Sequence, residues 1–201
     1  MSQLASEVDD LSFERYLTDP SIDPPSEWGG GQAVPRHAVA DRHDAMVGWL
    51  RELLGAAVRE RDLGRVLGEP FVMKTGPDLP GRSPDLMFVA TEHAERIRAR
   101  HLEGPADLVI EVLSPESKTR DGVHKLAEYE RGGVAEYWLI DPEAGHARFY
   151  CLGADGRYAE ESPESPRYRS RVLPLVELER RWLMQRPLPK TLAILRGWGV
   201  I

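Results

Sequence analysis

Cysteine is nearly missing from this chain: Cys151 stands alone among 201 residues. An intramolecular disulfide and a Cys-rich zinc site are thereby excluded, which agrees with a reducing compartment. Cys151 itself reads as a buried strand residue. No run of eighteen apolar residues occurs, and the first ten residues, MSQLASEVDD, are acidic where a secretory signal would be basic and then apolar. A cytoplasmic protein with no membrane partner is expected. Positive charge is also in short supply, the formal net charge being -7. The molecule as a whole would repel a polyanion, so any contact with nucleic acid must come from a local basic patch. Two stretches could supply one: Arg96, Arg98, Arg100 and His101 in ERIRARH, and Arg167, Arg169 and Arg171 in PRYRSR. Each also reads as ordinary solvated surface charge. No internal repeat is visible, and no zinc finger or recognition helix stands out.

What is present is one domain's worth of ordinary globular sequence, 41% hydrophobic and 29% charged. Residues 1–36 are rich in acids and in breakers such as Pro20, Pro24, Pro25, Gly29, Gly30, Gly31 and Pro35, and predict an irregular leader with a short helix near Leu11 to Leu17. Residues 37–201 are expected to form a single domain. From Ala38 to Arg59 the apolar positions Met46, Val47, Leu50, Leu53, Leu54, Ala57 and Val58 recur at helical spacing. On that helix His43 falls inside the apolar stripe and Glu52 on the opposite face. An inward histidine is either a hydrogen-bonded core residue or the edge of a site.

Arg65 to Lys74, Pro84 to Ala90 and Ala106 to Leu113 read as three strands, being short runs of Val, Ile, Leu and Phe between Gly and Pro signals. A second helix, capped by Thr119 or Asp121, runs to Arg131 and is closed by Gly132 and Gly133. Val134 to Asp141 is a fourth strand, and HARFYCL, GADG and RYAEE form a hairpin around a tight Asp-Gly turn. Leu175 to Met184 looks helical. The fold class is therefore mixed α/β, in the order helix, three strands, helix, strand and C-terminal hairpin. The strand-helix-strand passage 106–141 requires parallel strands in one sheet.

Two carboxylates are out of place in this pattern. Glu111 lies in ADLVIEVL, a continuous apolar run of the kind found in central strands covered on both faces. An ionised carboxylate there needs a counter-charge or a metal. Asp85 opens the strand PDLMFVA. Two carboxylates meeting at adjacent strand ends make a hard, oxygen-rich site suited to Mg²⁺ or Mn²⁺. Lys125, four residues before Tyr129 on the second helix, can reach towards the sheet and stabilise charge developing on a phosphate. A purely structural ion pair of Lys125 with Glu111 or Asp121 is the competing reading. Asp107 shares Glu111's strand face but lies about 13 Å away at about 3.3 Å per residue, and suits a strand-start role. Ser114 and Ser117 lack the His and Asp setting of a serine nucleophile. Tyr137 and Trp138 read as sheet packing.

The strings SPDLMFV and GPADLVIEVLSPESKTRDGVHKLAEYERGGVAEYWLIDP resemble the bacterial family of "putative restriction endonucleases", a branch of the PD-(D/E)xK nuclease superfamily. The resemblance is strong over residues 84–142 and weaker over the His43 helix. It implies a restriction-endonuclease-like core in which Asp85 and Glu111 bind the metal. The superfamily's lysine, two residues after the acid, is replaced here by Leu113. The family takes its lysine from the following helix, where Lys125 matches. The family's hairpin before the histidine helix survives only as an echo in SEWGGGQAVPRHAVADRH.

The expected function is thus metal-dependent hydrolysis of DNA by Asp85, Glu111 and Lys125, with His43, Tyr129 and Asp121 as candidate site-edge residues and Arg96, Arg98 and Arg100 as candidate phosphate contacts. The alternatives are a catalytically silent nucleic-acid-binding or assembly module, which the acidic charge and Leu113 favour, and a small-molecule phosphohydrolase. An exposed sheet edge and the Tyr-Trp strand are compatible with a homodimer.

Overall fold

The computed structural model describes residues 11–22, 26–29, 31–35, 41–114 and 121–201, with the side chains of 121–123 outside the description. In chain order the elements begin with α1 (Phe13–Thr18), β1 (Ser26–Gly29), β2 (Gln32–Pro35) and α2 (Asp41–Glu60). The strands β3 (Gly64–Leu67), β4 (Val72–Lys74), β5 (Gly81–Arg82), β6 (Leu86–Ala90), β7 (His101–Glu103) and β8 (Leu108–Val112) come next. Then follow α3 (Asp121–Gly132), β9 (Glu136–Asp141), β10 (His146–Leu152), β11 (Tyr158–Glu160), β12 (Arg167–Arg169), β13 (Glu177–Glu179) and α4 (Thr191–Gly197).

The main sheet has the order β11-β10-β9-β8-β6-β3. Every residue of β8 is buried, as its apolar run implies. The crossover through α3 makes β8 and β9 parallel neighbours, while β6 runs antiparallel to β8. Alternation then assigns the two faces. Leu86, Phe88, Leu108, Ile110, Trp138 and Ile140 meet Met46, Leu50, Leu53, Leu54, Ala57 and Val58 of α2, and Met87, Val89, Val109 and Tyr137 meet Tyr129 of α3 and Val134. Each such side chain contributes roughly 1.5–3 kcal/mol on burial, so the sheet is clamped from both sides. Gly133, at φ 79°, ends α3, and the Val134 N–H bonds Tyr129 O in a Schellman closure.

Three expectations need correction. Arg65 to Lys74 is not one strand: β3 belongs to the main sheet and β4 to a second sheet, β2-β1-β5-β4-β7. The break falls at Gly68, where a Cβ would lie 2.3 Å from the Asp85 carbonyl oxygen, so the chain crosses Asp85 backbone to backbone. Leu175 to Met184 is not an α-helix. Its first part is β13, paired with β12, and Arg180–Met184 is a 3-10 turn. Residues 1–36 are not an irregular leader over their described part, because β1 pairs with both β2 and β5. The short helix expected near Leu11 to Leu17 is α1. Phe13 packs against Trp28 and His101 at ring separations of 5.5 and 5.4 Å, and a Cβ on Gly81 would meet Phe13 at 2.8 Å. No described helix is long and apolar enough to cross a membrane.

Candidate active site

Antiparallel pairing of Leu86 with Ile110 sets Asp85 across from Glu111 at the end of the β6–β8 ladder. Asp85 Oδ2 accepts the Val112 N–H at 2.8 Å and lies 3.2 Å from His43 Nε2. His43 thus comes inward from the first turn of α2 to the edge of the carboxylate pair, while Glu52 is exposed on the other side of the helix. Glu111 Oε1 accepts from Lys125 Nζ at 3.1 Å and from the Tyr129 hydroxyl at 2.6 Å. Lys125 and Tyr129 are one helical turn apart and share one face of α3. Burial, followed by the charges of Glu111 and Glu27, pushes the Tyr129 phenol well above its ordinary value. Its proton is therefore fixed as the donor to Glu111.

Three residues of this network, Glu27, Arg82 and Glu128, were missed by sequence reasoning. Glu27, on β1, places Oε1 3.4 Å from Lys125 Nζ, and its Oε2 accepts from Arg82 at 2.9 Å. Arg82 also forks onto Glu128, Nε and Nη2 donating at 2.8 and 2.9 Å. The carboxylates Glu128 and Glu27 hold the guanidinium charged against the cost of its burial. The echo of the family hairpin around SEW was the signal that could have found Glu27. Nothing local marks Arg82.

Asp85, Glu111, Glu27 and Glu128 meet His43, Lys125 and Arg82 in this network. Carboxylates gathered in this way, on hard oxygen donors, are of the kind a divalent cation takes as ligands. Among the described residues no group of three or more His, Cys, Asp or Glu is gathered for a metal. Mg²⁺ is commonly held by one or two carboxylates with water completing its shell. Asp85 and Glu111, on neighbouring strands, offer two carboxylates of that kind.

Other candidates fall elsewhere. Arg96 follows β6, at the opposite end of that strand from Asp85, and donates to Pro105 O at 2.8 Å. Arg100 donates to Leu17 O at 2.9 Å, and Arg98 is exposed. Arg167 and Arg169 pair with Glu177, and Arg171 with Glu161. Asp107 accepts from the Ala90 N–H at 2.7 Å and faces His93 Nδ1 at 2.8 Å, so it anchors a strand end. Asp141 accepts from the Glu143 and Ala144 amides and caps a turn. Burial pushes the Cys151 thiol up, and its Sγ lies 3.4 Å from the Tyr168 hydroxyl. The Asp121 side chain and the residues Ser117 and Thr119 lie outside the described residues.

A family model described as "Uma2: Putative restriction endonuclease" matches residues 13–184. The chain belongs to this family. Membership extends the match well beyond 84–142 and takes in both the hairpin bearing Glu27 and the helix bearing His43. A crystal structure titled "a putative nuclease belonging to DUF820", from Anabaena variabilis ATCC 29413, superposes with a TM-score of 0.69 at 18% identity. The superposition covers 85% of this chain and 96% of that one, and shows a shared restriction-endonuclease-like fold. No curated protein matches the sequence. Family and fold together point to a nuclease.

Proposed function

We propose that this Uma2 family member is a Mg²⁺- or Mn²⁺-dependent endonuclease that hydrolyses DNA phosphodiester bonds at the Asp85–Glu111 site. The observation that carries the reading is the 3.1 Å contact between Lys125 and Glu111, with Asp85 facing Glu111 across the sheet. A metal bound there would polarise a phosphate oxygen and lower the pKa of a bound water. Asp85 and Glu111 are its ligands. His43 and the Val112 amide orient Asp85, and Tyr129 holds Glu111. Lys125 supplies a positive charge where the phosphate becomes more negative during displacement, an interaction that strengthens in the transition state.

A catalytically silent nucleic-acid-binding or assembly module is the second reading. It is favoured by the sharing of Lys125 between Glu111 and Glu27 and by the net charge of -7. Purified protein incubated with supercoiled and single-stranded DNA, in Mg²⁺ and in Mn²⁺, separates the two. The nuclease reading expects cleavage that is lost in Asp85→Ala and Lys125→Ala and kept in Glu52→Ala. Absence of cleavage by a folded protein on either substrate rejects it.

A further inference from the structure

Tyr137 has a buried hydroxyl with no hydrogen-bond partner among the described residues. Such a group forfeits its water hydrogen bonds on folding, and phenylalanine would fill the same space without that cost. The neighbouring tyrosines are satisfied. Tyr129 donates to Glu111, Tyr158 donates to Val134 O at 2.8 Å, and Tyr150 is bonded to Arg148. Tyr137 packs among all three, with ring separations of 5.2, 6.3 and 5.9 Å respectively.

The placement of Tyr137 relates the bare hydroxyl to the carboxylates. On the parallel β8–β9 ladder Tyr137 pairs with Val109 and Leu139 pairs with Glu111. Successive side chains alternate between faces, so Tyr137 and Glu111 project from the same face, one repeat apart. The α3 side chain packed there, Tyr129, touches both. After burial, the charge of Glu111 is the largest influence raising the Tyr137 phenol, and Asp85 also contributes. One face of the sheet thus carries Glu111 and Tyr137 under the same α3 tyrosine.

We infer that Tyr137 is a site residue whose hydroxyl hydrogen-bonds an oxygen held at Asp85 and Glu111, either a water or a phosphate oxygen. Its partner is the occupant of the site. The inference rests on the metal-site reading above and adds a fourth side chain to the Asp85, Glu111 and Lys125 set.

The test compares Tyr137→Phe with wild type and with Tyr158→Phe, which removes a partnered hydroxyl from the same cluster. Thermal unfolding is followed without metal, with Mn²⁺, and with Mn²⁺ plus inorganic phosphate. Without metal, Tyr137→Phe is expected to melt higher by about 2 °C or more, because an unpaired buried hydroxyl has been removed. Tyr158→Phe is expected to melt lower. The rise in Tm on adding Mn²⁺ is expected to shrink in Tyr137→Phe if the oxygen belongs to water. If it belongs to phosphate, the further rise caused by phosphate shrinks instead. Calorimetric titration should show the matching affinity falling threefold or more. Increments equal to those of wild type in both conditions overturn the inference, whatever the metal-free Tm does. If wild type itself gains nothing from Mn²⁺, the metal-site reading fails and this inference with it. A normal wild-type gain with unchanged Tyr137→Phe increments defeats the Tyr137 inference alone.

Discussion

Lys125 Nζ lies 3.1 Å from Glu111 Oε1, the two residues being fourteen apart in sequence and carried by different elements. Leu113, two residues after Glu111, has its N–H committed to Ile140 O at 2.7 Å. The cation that meets Glu111 therefore comes from α3 and not from the acid's own strand. Both partners are only 6% exposed, so breaking the pair leaves a charge in a poorly hydrated place. Lys125→Met is expected to cost about 3–5 kcal/mol in urea unfolding. Its kcat on DNA should fall by about a hundredfold or more. Lys125→Arg keeps the charge and should recover most of the stability.

Arg82 joins three elements by holding Glu27 of β1 and Glu128 of α3 from its place on β5. Replacing its fork by a neutral side chain removes both hydrogen bonds to Glu128 and the charge that both carboxylates face. Arg82→Met is expected to lower stability by about 2 kcal/mol. A double-mutant cycle with Glu128→Gln should return a coupling above about 1 kcal/mol. A coupling near zero would show that the two side chains act independently.

Glu136 accepts hydrogen bonds from five donors. Oε1 accepts from Trp138 Nε1 at 2.6 Å and from the Tyr168 hydroxyl at 2.7 Å. Oε2 accepts from the Ser170 hydroxyl and from the amides of Arg171 and Val172 at 3.1, 2.8 and 3.0 Å. A glutamine must turn its own N–H₂ towards one of these groups of donors. Glu136→Gln is therefore expected to be nearly as destabilising as Glu136→Ala, by about 3 kcal/mol or more, when followed by circular dichroism. Glu136 pairs with Leu108, at the far end of β8 from Glu111. Cleavage per folded molecule should be unchanged.

All six tyrosines have phenols raised above their ordinary value, mainly by burial. Below about pH 10 both folded and unfolded chains keep these protons, and the groups contribute no pH dependence. Above it the unfolded chain releases protons that the folded chain retains. The unfolded state then binds fewer protons, so stability falls as pH rises. Alkaline unfolding should begin above about pH 10 and coincide with the appearance of tyrosinate absorbance. Tyrosinate signal from Tyr129 or Tyr137 in a still-folded protein would contradict the burial on which this rests.

The strand-helix-strand passage was legible because its information is local. A continuous apolar run, a double-glycine stop and a second apolar run leave few topologies, and carboxylates at Asp85 and Glu111 interrupt that apolar pattern visibly. His43 could be placed inward by helical periodicity alone. Lys125 could be aimed at the sheet from its place on the helix, but nothing in DGVHKLAEY says whether it meets Glu111 or Asp121. Glu27 was hidden for a related reason: the lysine it approaches is nearly a hundred positions away, and β1 is too short to show a pattern. The spacing of Leu175, Val176, Leu178 and Leu183 suits a helix, but pairing with Arg167 to Arg169 draws Glu177 to Glu179 into a strand. The bare hydroxyl of Tyr137 has no sequence signature, because phenols are ordinarily satisfied.

Gly81 brings no functional group to the site, yet it governs where one acid can stand. Its missing side chain is the seat of Phe13, and its backbone is the pairing partner of Trp28, next to Glu27. Even an alanine would push on the ring from one side and on Val72 from the other. The freedom to mutate is therefore distributed unexpectedly in this protein. A chemically silent position on β5 should tolerate less variation than many charged ones, and an amino-terminal truncation would remove a wall of the site along with the chain that precedes it.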